Sequence, residues 1–185
     1  LGMRAFIDFE ASSLGRHGYP IEVAWVFEDG AAEAFLIRPI DKWTDWDPTA
    51  QAIHGISREE LLQHGATTEH VANRLVTALQ GHEVFASAPS WDGKWLSALL
   101  RSAGLPRHAV RLTDTDLGLS ELAEALLAPH VPSSRIPRAI RKILADAAGR
   151  FDDRPPAHRA LQDAQRERER WLAVSELAHA FEANR

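Results

Sequence analysis

The sequence predicts an α/β fold, a mixed five-stranded sheet flanked by helices. Three observations carry that expectation. Apolar runs of strand length crowd the first 37 residues, and two of them flank an Asp29-Gly30 pair. Short strand candidates then alternate with segments of helical periodicity, and the chain closes on one long helix. Early strands followed by alternating helices and strands pack as helices on a sheet.

Met3 to Phe9 is apolar except for Arg4 and Asp8 and fits a buried strand. Ser12, Ser13, Gly15, Gly18 and Pro20 mark the next stretch as a loop. Ile21–Phe27 and Ala31–Ile37 follow as a hairpin, because Asp-Gly supplies two turn positions that tolerate positive φ. Ser57 and Glu60 form a capping box ahead of Leu61. Val71, Leu75, Val76 and Leu79 continue at helical spacing until Gly81 ends that element. Val84–Ala86 is a fourth strand, Trp91–Ala103 a helix closed by Gly104, and Val110–Leu112 a fifth strand. Helices are expected over Ser120–Leu127 and Ile136–Ala148, with Pro129, Pro132 and Pro137 between them, and over Ala157–Phe181 after Pro155-Pro156.

Composition bounds the function without naming it. Of the 185 residues 45% are hydrophobic and 25% charged, the balance of a soluble globular chain, and 3–185 is expected to form one domain with Met3 as the native start. No apolar run approaches the roughly 18 residues of a membrane span, and no basic-then-apolar leader opens the sequence, so a cytoplasmic location without membrane association is the expectation. With no Cys, disulfide frameworks, CxxC redox sites and thiolate zinc sites are excluded. A net charge of −5 argues against a protein that coats nucleic acid, yet an acidic metal pocket remains compatible with a nuclease.

The first strand ends Asp8-Phe9-Glu10. Residues two apart on a strand share a face, so the two carboxylates project together and repel unless a cation neutralises them. Hard divalent ions such as Mg²⁺ or Mn²⁺ prefer carboxylate oxygen. The other reading is a solvated strand end. Far along the chain, His158 and Asp163 stand five positions apart, about 140° around an ideal helix. They converge on one site only if His158 lies in a loop or fraying first turn. Otherwise His158 is a surface residue and Asp163 an acid favoured at a helix N-terminus.

The segments FIDFEASSLG (Phe6 to Gly15), SWDGKWL (Ser90 to Leu96) and HRALQD (His158 to Asp163), with Ile53-His54-Gly55-Ile56-Ser57 between the first two, fall in the order of the DEDD exonuclease motifs. The chain therefore resembles the DEDD superfamily of 3′–5′ exonucleases, in its histidine branch, over nearly its whole length. The tyrosine branch needs Tyr at the position of Arg159, and the single Tyr is Tyr19. The resemblance implies an RNase H-like fold, two Mg²⁺ or Mn²⁺ ions held by Asp8, Glu10, Asp92 and Asp163, and His158 as general base. Asp8 would bridge the ions. Glu10 and Asp163 would complete one site and Asp92 would support the other. It further implies release of 5′-mononucleotides from the 3′ end of single-stranded DNA or RNA. Ser12 and Leu14 would lie near the terminal sugar, and His54 and Ile56 near the terminal base, with core packing the other reading of Ile56. The family often has Thr-Gly where Ser12-Ser13 stand, Asn at Ala88 and Phe at Trp91, which bears on terminal-nucleotide positioning but removes no metal ligand.

Arg135, Arg138, Arg141 and Lys142 are spaced to touch strand phosphates or to form a solvated helix face. Trp43 and Trp46 suit base stacking or covering of the sheet edge, and Trp91 and Trp95 the core. Partner expectations are nucleic acid 3′ ends, a homodimer, and a polymerase or other protein partner. Competing readings are a catalytically weak nucleic-acid-binding subunit, an RNase H-like endonuclease, and a phosphodiesterase for very short oligonucleotides.

Overall fold

The computed structural model describes residues 2–181, so the last four positions of the expected domain and Leu1 lie outside it. Five strands form one sheet in the order β3-β2-β1-β4-β5: β1 (Arg4–Ala11), β2 (Pro20–Phe27), β3 (Ala32–Leu36), β4 (Glu83–Ala86) and β5 (Leu112–Asp114). β1 pairs antiparallel with β2 and parallel with β4, so the sheet is mixed and β1 is its centre. The helices are α1 (Pro48–His54), α2 (Arg58–His64), α3 (Thr68–Leu79), α4 (Pro89–Ser102), α5 (Thr115–Leu127), α6 (Ile136–Gly149) and α7 (Ala160–His179). Among the described residues no helix is long and apolar enough to cross a membrane.

Alternation along β1 divides the core. Ala5, Ile7 and Phe9 join Val23 and Trp25 of β2 against Val71 and Leu75 of α3 and Trp95 and Leu99 of α4. Phe6 faces the other layer, with Phe85 of β4, Leu119 of α5, Ile143 of α6 and Trp171 and Val174 of α7. Trp171 meets Phe6 and Phe85 at ring distances of 5.6 and 4.9 Å. Asp8 and Glu10 have the parity of Phe6 and therefore turn toward α7.

Several boundaries differ from the sequence expectation for local reasons. The hairpin between β2 and β3 has positive φ only at Gly30, while Asp29 uses its carboxylate to accept from Ala31 N. Gly30 N donates to Phe27 O, which makes a type I turn closed by one left-handed residue. The expected helix over Ser57–Leu79 breaks into α2 and α3, because Gly65 sits so close to Leu61 O and the Arg38 backbone that a Cβ has no room. Thr67 then caps α3 by accepting from His70 N. Helix α1 was not anticipated; Asp47 caps it, and Gly55 ends it at φ 75. β5 lies two residues later than Val110–Leu112 and α5 starts at Thr115 rather than Ser120, with Asp114 as its cap. The last helix starts at Ala160 instead of Ala157, since His158 adopts φ 52, outside helical space.

Gly118 on α5 lets the helix lie directly on the aromatic layer. A Cβ there would meet Phe85 ring carbons at 2.5 Å and Trp171 at 3.1 Å. Both rings are buried and wedged against Phe6, so they have little freedom to yield. We expect Gly118→Val to destabilise the fold by about 2 kcal/mol through overpacking, read as a lower urea midpoint at unchanged slope. An unchanged midpoint would mean that Phe85 rotates aside at no cost.

Candidate active site

The end of β1 carries the first two acids past the point where β4 stops pairing. Parallel pairing with β4 covers only Arg4 to Phe6, whereas β2 continues alongside to Glu10 opposite Glu22 and then breaks register between Glu10 and Ala11. Such a break beside a functional strand end re-aims side chains. The first turn of α4 fills the space beyond β4. There Asp92, buried, accepts from Ala88 N at 3.3 Å and from the backbone N–H of Phe9.

On the opposite wall α7 runs past β1 with Asp163, Glu167 and Trp171 at four-residue spacing, one stripe of the helix. Trp171 meets Phe6, while Asp163 comes to the acids. Asp8, Glu10 and Asp163 each present a carboxylate oxygen within 4.8 Å of the others. Asp163 also accepts from Ala157 N at 3.1 Å, which draws in the loop bearing His158. His158 lies in that loop, exposed, at φ 52 and outside the helix. Its neighbour Arg159 makes two hydrogen bonds to buried Glu22 through Nε and one at 2.8 Å through Nη2, and Ala160 N donates to Glu22 at 2.7 Å.

Burial and mutual repulsion dominate the electrostatics. Burial first, then Asp92, Glu10 and Asp163, holds the Asp8 carboxyl well above the usual carboxylate range. Burial followed by Asp163 and Glu22 pushes Glu10 up to about 7. Burial also pushes Asp92 up to about 7, against the pull of the Ala88 and Phe9 N–H groups. One Asp8 oxygen is buried without a hydrogen-bond partner among the described residues. An acid with one buried, unpaired oxygen, grouped with two further carboxylates whose oxygens lie within 4.8 Å of one another, fits a hard divalent cation, which would cancel the repulsion. Asp92 is not within that trio, although its charge acts on Asp8 and Glu10.

The remaining expected residues divide by exposure. Leu14 is 67% exposed in the loop after β1, whereas Ser12 is fully buried and accepts from Tyr19 N. His54 is buried, its Nδ1 accepting from Ile56 N and its Nε2 without a partner among the described residues. Ile56 packs in a small core with Tyr19, Ile21 and Leu61, the core-packing alternative. Trp43 stacks on Tyr19, and Trp46 donates to Gln51 Oε1, so both cover that small core. Trp95 is buried as expected, but Trp91 is 41% exposed. Trp91 sits in the first turn of α4 and reaches only the outer side of Trp95, against which it stacks. On α6, Lys142 is paired with Asp146 at 2.7 Å.

Glu167 was missed. Its half-buried carboxylate bonds Arg170 at 2.9 Å, which also holds Asp116, and its charge raises both Asp8 and Asp92. Its spacing, one helical turn after Asp163, was the available signal.

The mixed sheet and its flanking helices are the RNase H-like fold, and solved structures of exonuclease I are similar to this chain. Exonuclease I from Methylocaldum szegediense superposes with a TM-score of 0.66 at 16% identity, over 93% of this chain and 40% of that one. The zinc-bound E. coli exonuclease I–ssDNA complex gives 0.63 at 17%, over 90% and 39%. Exonuclease I in complex with SSB-Ct gives 0.55 at 19%, over 69% and 31%. This chain thus spans about two fifths of the length of the first two, and the likeness establishes the fold. No protein-family model matches the chain, and no curated protein matches its sequence.

The raised acids set a pH signature. Without metal, Glu10 goes from an ordinary 4.5 and Asp92 from 3.8 to about 7 in the folded state. The folded chain then holds more protons than the unfolded chain between about pH 4 and 7, so stability falls as pH rises through that window and levels off above it. We expect the melting temperature in EDTA to drop from pH 5 to pH 8. Mg²⁺ or Mn²⁺ should raise it by an increment that grows with pH. A metal increment equal at pH 5 and pH 8 would exclude these carboxylates as ligands.

Proposed function

We propose that this chain is a divalent-metal-dependent 3′–5′ exonuclease that hydrolyses single-stranded nucleic acid to 5′-mononucleotides. The observation that carries the reading is the convergence of Asp8, Glu10 and Asp163, from opposite ends of the sequence, each offering a carboxylate oxygen within 4.8 Å of the others. An exonuclease I fold around that trio supports it.

Asp8, Glu10 and Asp163 would hold one divalent ion, and Asp92 would support a second. Mg²⁺ and Mn²⁺ are the proposed ions. Two such ions, when bound, acidify an attacking water and neutralise the phosphate and leaving oxygen. His158, exposed in its loop, is the residue assigned as general base, which would accept the proton of the attacking water. Glu22 positions His158 from behind by fixing Arg159 and Ala160 N. Leu14 and His54 are assigned to the side of the terminal nucleotide, with Ser12 and Ile56 shaping the loop and core behind them. The solved neighbours include ssDNA complexes, which favours DNA as the first polymer to test. A protein partner, as in the SSB-Ct complex, and a cytoplasmic location belong to the same proposal.

The test uses 5′-labelled single-stranded DNA and RNA with Mg²⁺, Mn²⁺ or EDTA. We expect a metal-dependent ladder that shortens from the 3′ end. Asp8→Ala should abolish it, and His158→Ala should slow it by about 10²–10⁴-fold, the usual contribution of a general base. No ladder on either polymer with any metal would overturn the reading. Glu22→Ala, which frees Arg159 and Ala160 N, should lower kcat by about tenfold with KM within about twofold, consistent with loss of base positioning. A change confined to KM would assign Glu22 to substrate binding instead.

A further inference from the structure

A groove of about 1260 Å³ runs along the outer side of α4, between the loop after β1 and the segment leading into β5. Arg16, Lys42, Lys94, Arg101, Arg107 and Arg111 line it, and no Asp or Glu does so among the described residues. None of the six is ion-paired to a carboxylate among the described residues. In a chain of net charge −5, six unpaired cations around one concavity are a concentrated positive field.

The groove adjoins the acidic site. Its wall includes Pro89, Ser90 and Gly93, the same helical turn that sends Asp92 inward. Trp91, in that turn, exposes its ring outward and is backed by Trp95. Lys94 lies 4.7 Å from the Trp95 ring centroid and donates to Gly15 O at 2.9 Å, joining the groove to the loop that follows Glu10. Arg107 is steadied by Ser97 Oγ at 2.9 Å.

Building on the exonuclease reading, we propose that this groove is the track for the single strand upstream of its 3′ end. Its cations contact successive phosphates, and Trp91 stacks on a base where the strand crosses from α4 to the acids. A strand is favoured over an acidic peptide because an exposed aromatic face and the acidic site lie at the same end of the cations. Stacking on such a face is tolerant of base sequence.

The test separates binding from cleavage. Fluorescein-labelled oligonucleotides of about two and about twenty nucleotides are titrated in EDTA over a range of KCl. The proteins are the wild type, Arg101→Glu/Arg111→Glu, and the charge-matched Arg138→Glu/Arg141→Glu on α6. Thermal melts verify each fold. The groove variant should bind the long strand at least about tenfold more weakly than wild type. Its salt dependence should be shallower by about 1.4, since each single-strand phosphate that a cation no longer neutralises is worth about 0.7. The dinucleotide should be affected several-fold less than the long strand. Equal weakening by the α6 variant would leave only net charge as the cause and overturn the track. So would long-strand binding indifferent to Arg101 and Arg111. An acidic peptide that binds more tightly than the long strand, resists displacement by it and depends on the same arginines would make the groove a protein-docking surface. Cleavage is read separately with Mg²⁺ or Mn²⁺. A chain that binds through the groove and does not cut loses the exonuclease reading alone.

Discussion

Asp8 lies in the central strand with one buried carboxylate oxygen that has no hydrogen-bond donor among the described residues, while Asp92, Glu10 and Asp163 act on it as like charges. Bringing such groups together opposes folding, and the rest of the molecule is arranged to hold them there. Beneath the acids Phe6, Phe85 and Trp171 form a packed aromatic layer that leaves β1 and α7 little freedom to slide apart. Arg4 adds a guanidinium over the Trp171 ring at 5.2 Å. The same two elements that carry the repelling groups therefore carry the packing that resists the repulsion. Asp163 and Trp171 lie on one stripe of α7, facing Glu10 and Phe6 on one face of β1.

Charge is partitioned between two places. The acids gather at the end of β1, and unpaired cations gather around the outer side of α4. Net charge averages the two and reports neither. The sequence offered Arg135, Arg138, Arg141 and Lys142 because they are neighbours on one helix, yet Lys142 is taken by Asp146. Arg16, Lys42, Lys94, Arg101, Arg107 and Arg111 come from loops and a helix spread over almost a hundred positions, and no periodicity links them. Only the fold makes them one surface.

Much of the fold and the acidic set was readable from the sequence because the signals are local. Parity on a strand placed Asp8 and Glu10 together, Ser57 and Glu60 marked a helix start, and alternating elements gave the mixed sheet. What escaped depends on tertiary contact. Gly65 breaks a helix because backbone from Arg38 presses on it, which no window around Gly65 contains. Helical spacing with Trp95 points Trp91 to the core, but at the first turn of α4 Trp91 is exposed and stacks on the outer side of Trp95. Ser12 carries a hydroxyl in the expected place, and the loop consumes it through Tyr19 N.

The His158 to Asp163 spacing reflects where the last helix begins. On a continuous helix the two side chains diverge by about 140°, so a helix starting at Ala157 would send one of them away from the acids. The chain leaves helical geometry at His158, whose φ of 52 is costly for a residue with a Cβ. Three contacts over-determine that conformation. Asp163 captures Ala157 N ahead of it, while Glu22 captures Arg159 and Ala160 N behind it. Glu22 stands opposite Glu10 on β2, so the strand pair that sets the first acids also sets where the last helix begins. Four residues stand between His158 and Asp163, and the first two of them, Arg159 and Ala160, are spent on turning the chain into the helix and anchoring it to the sheet.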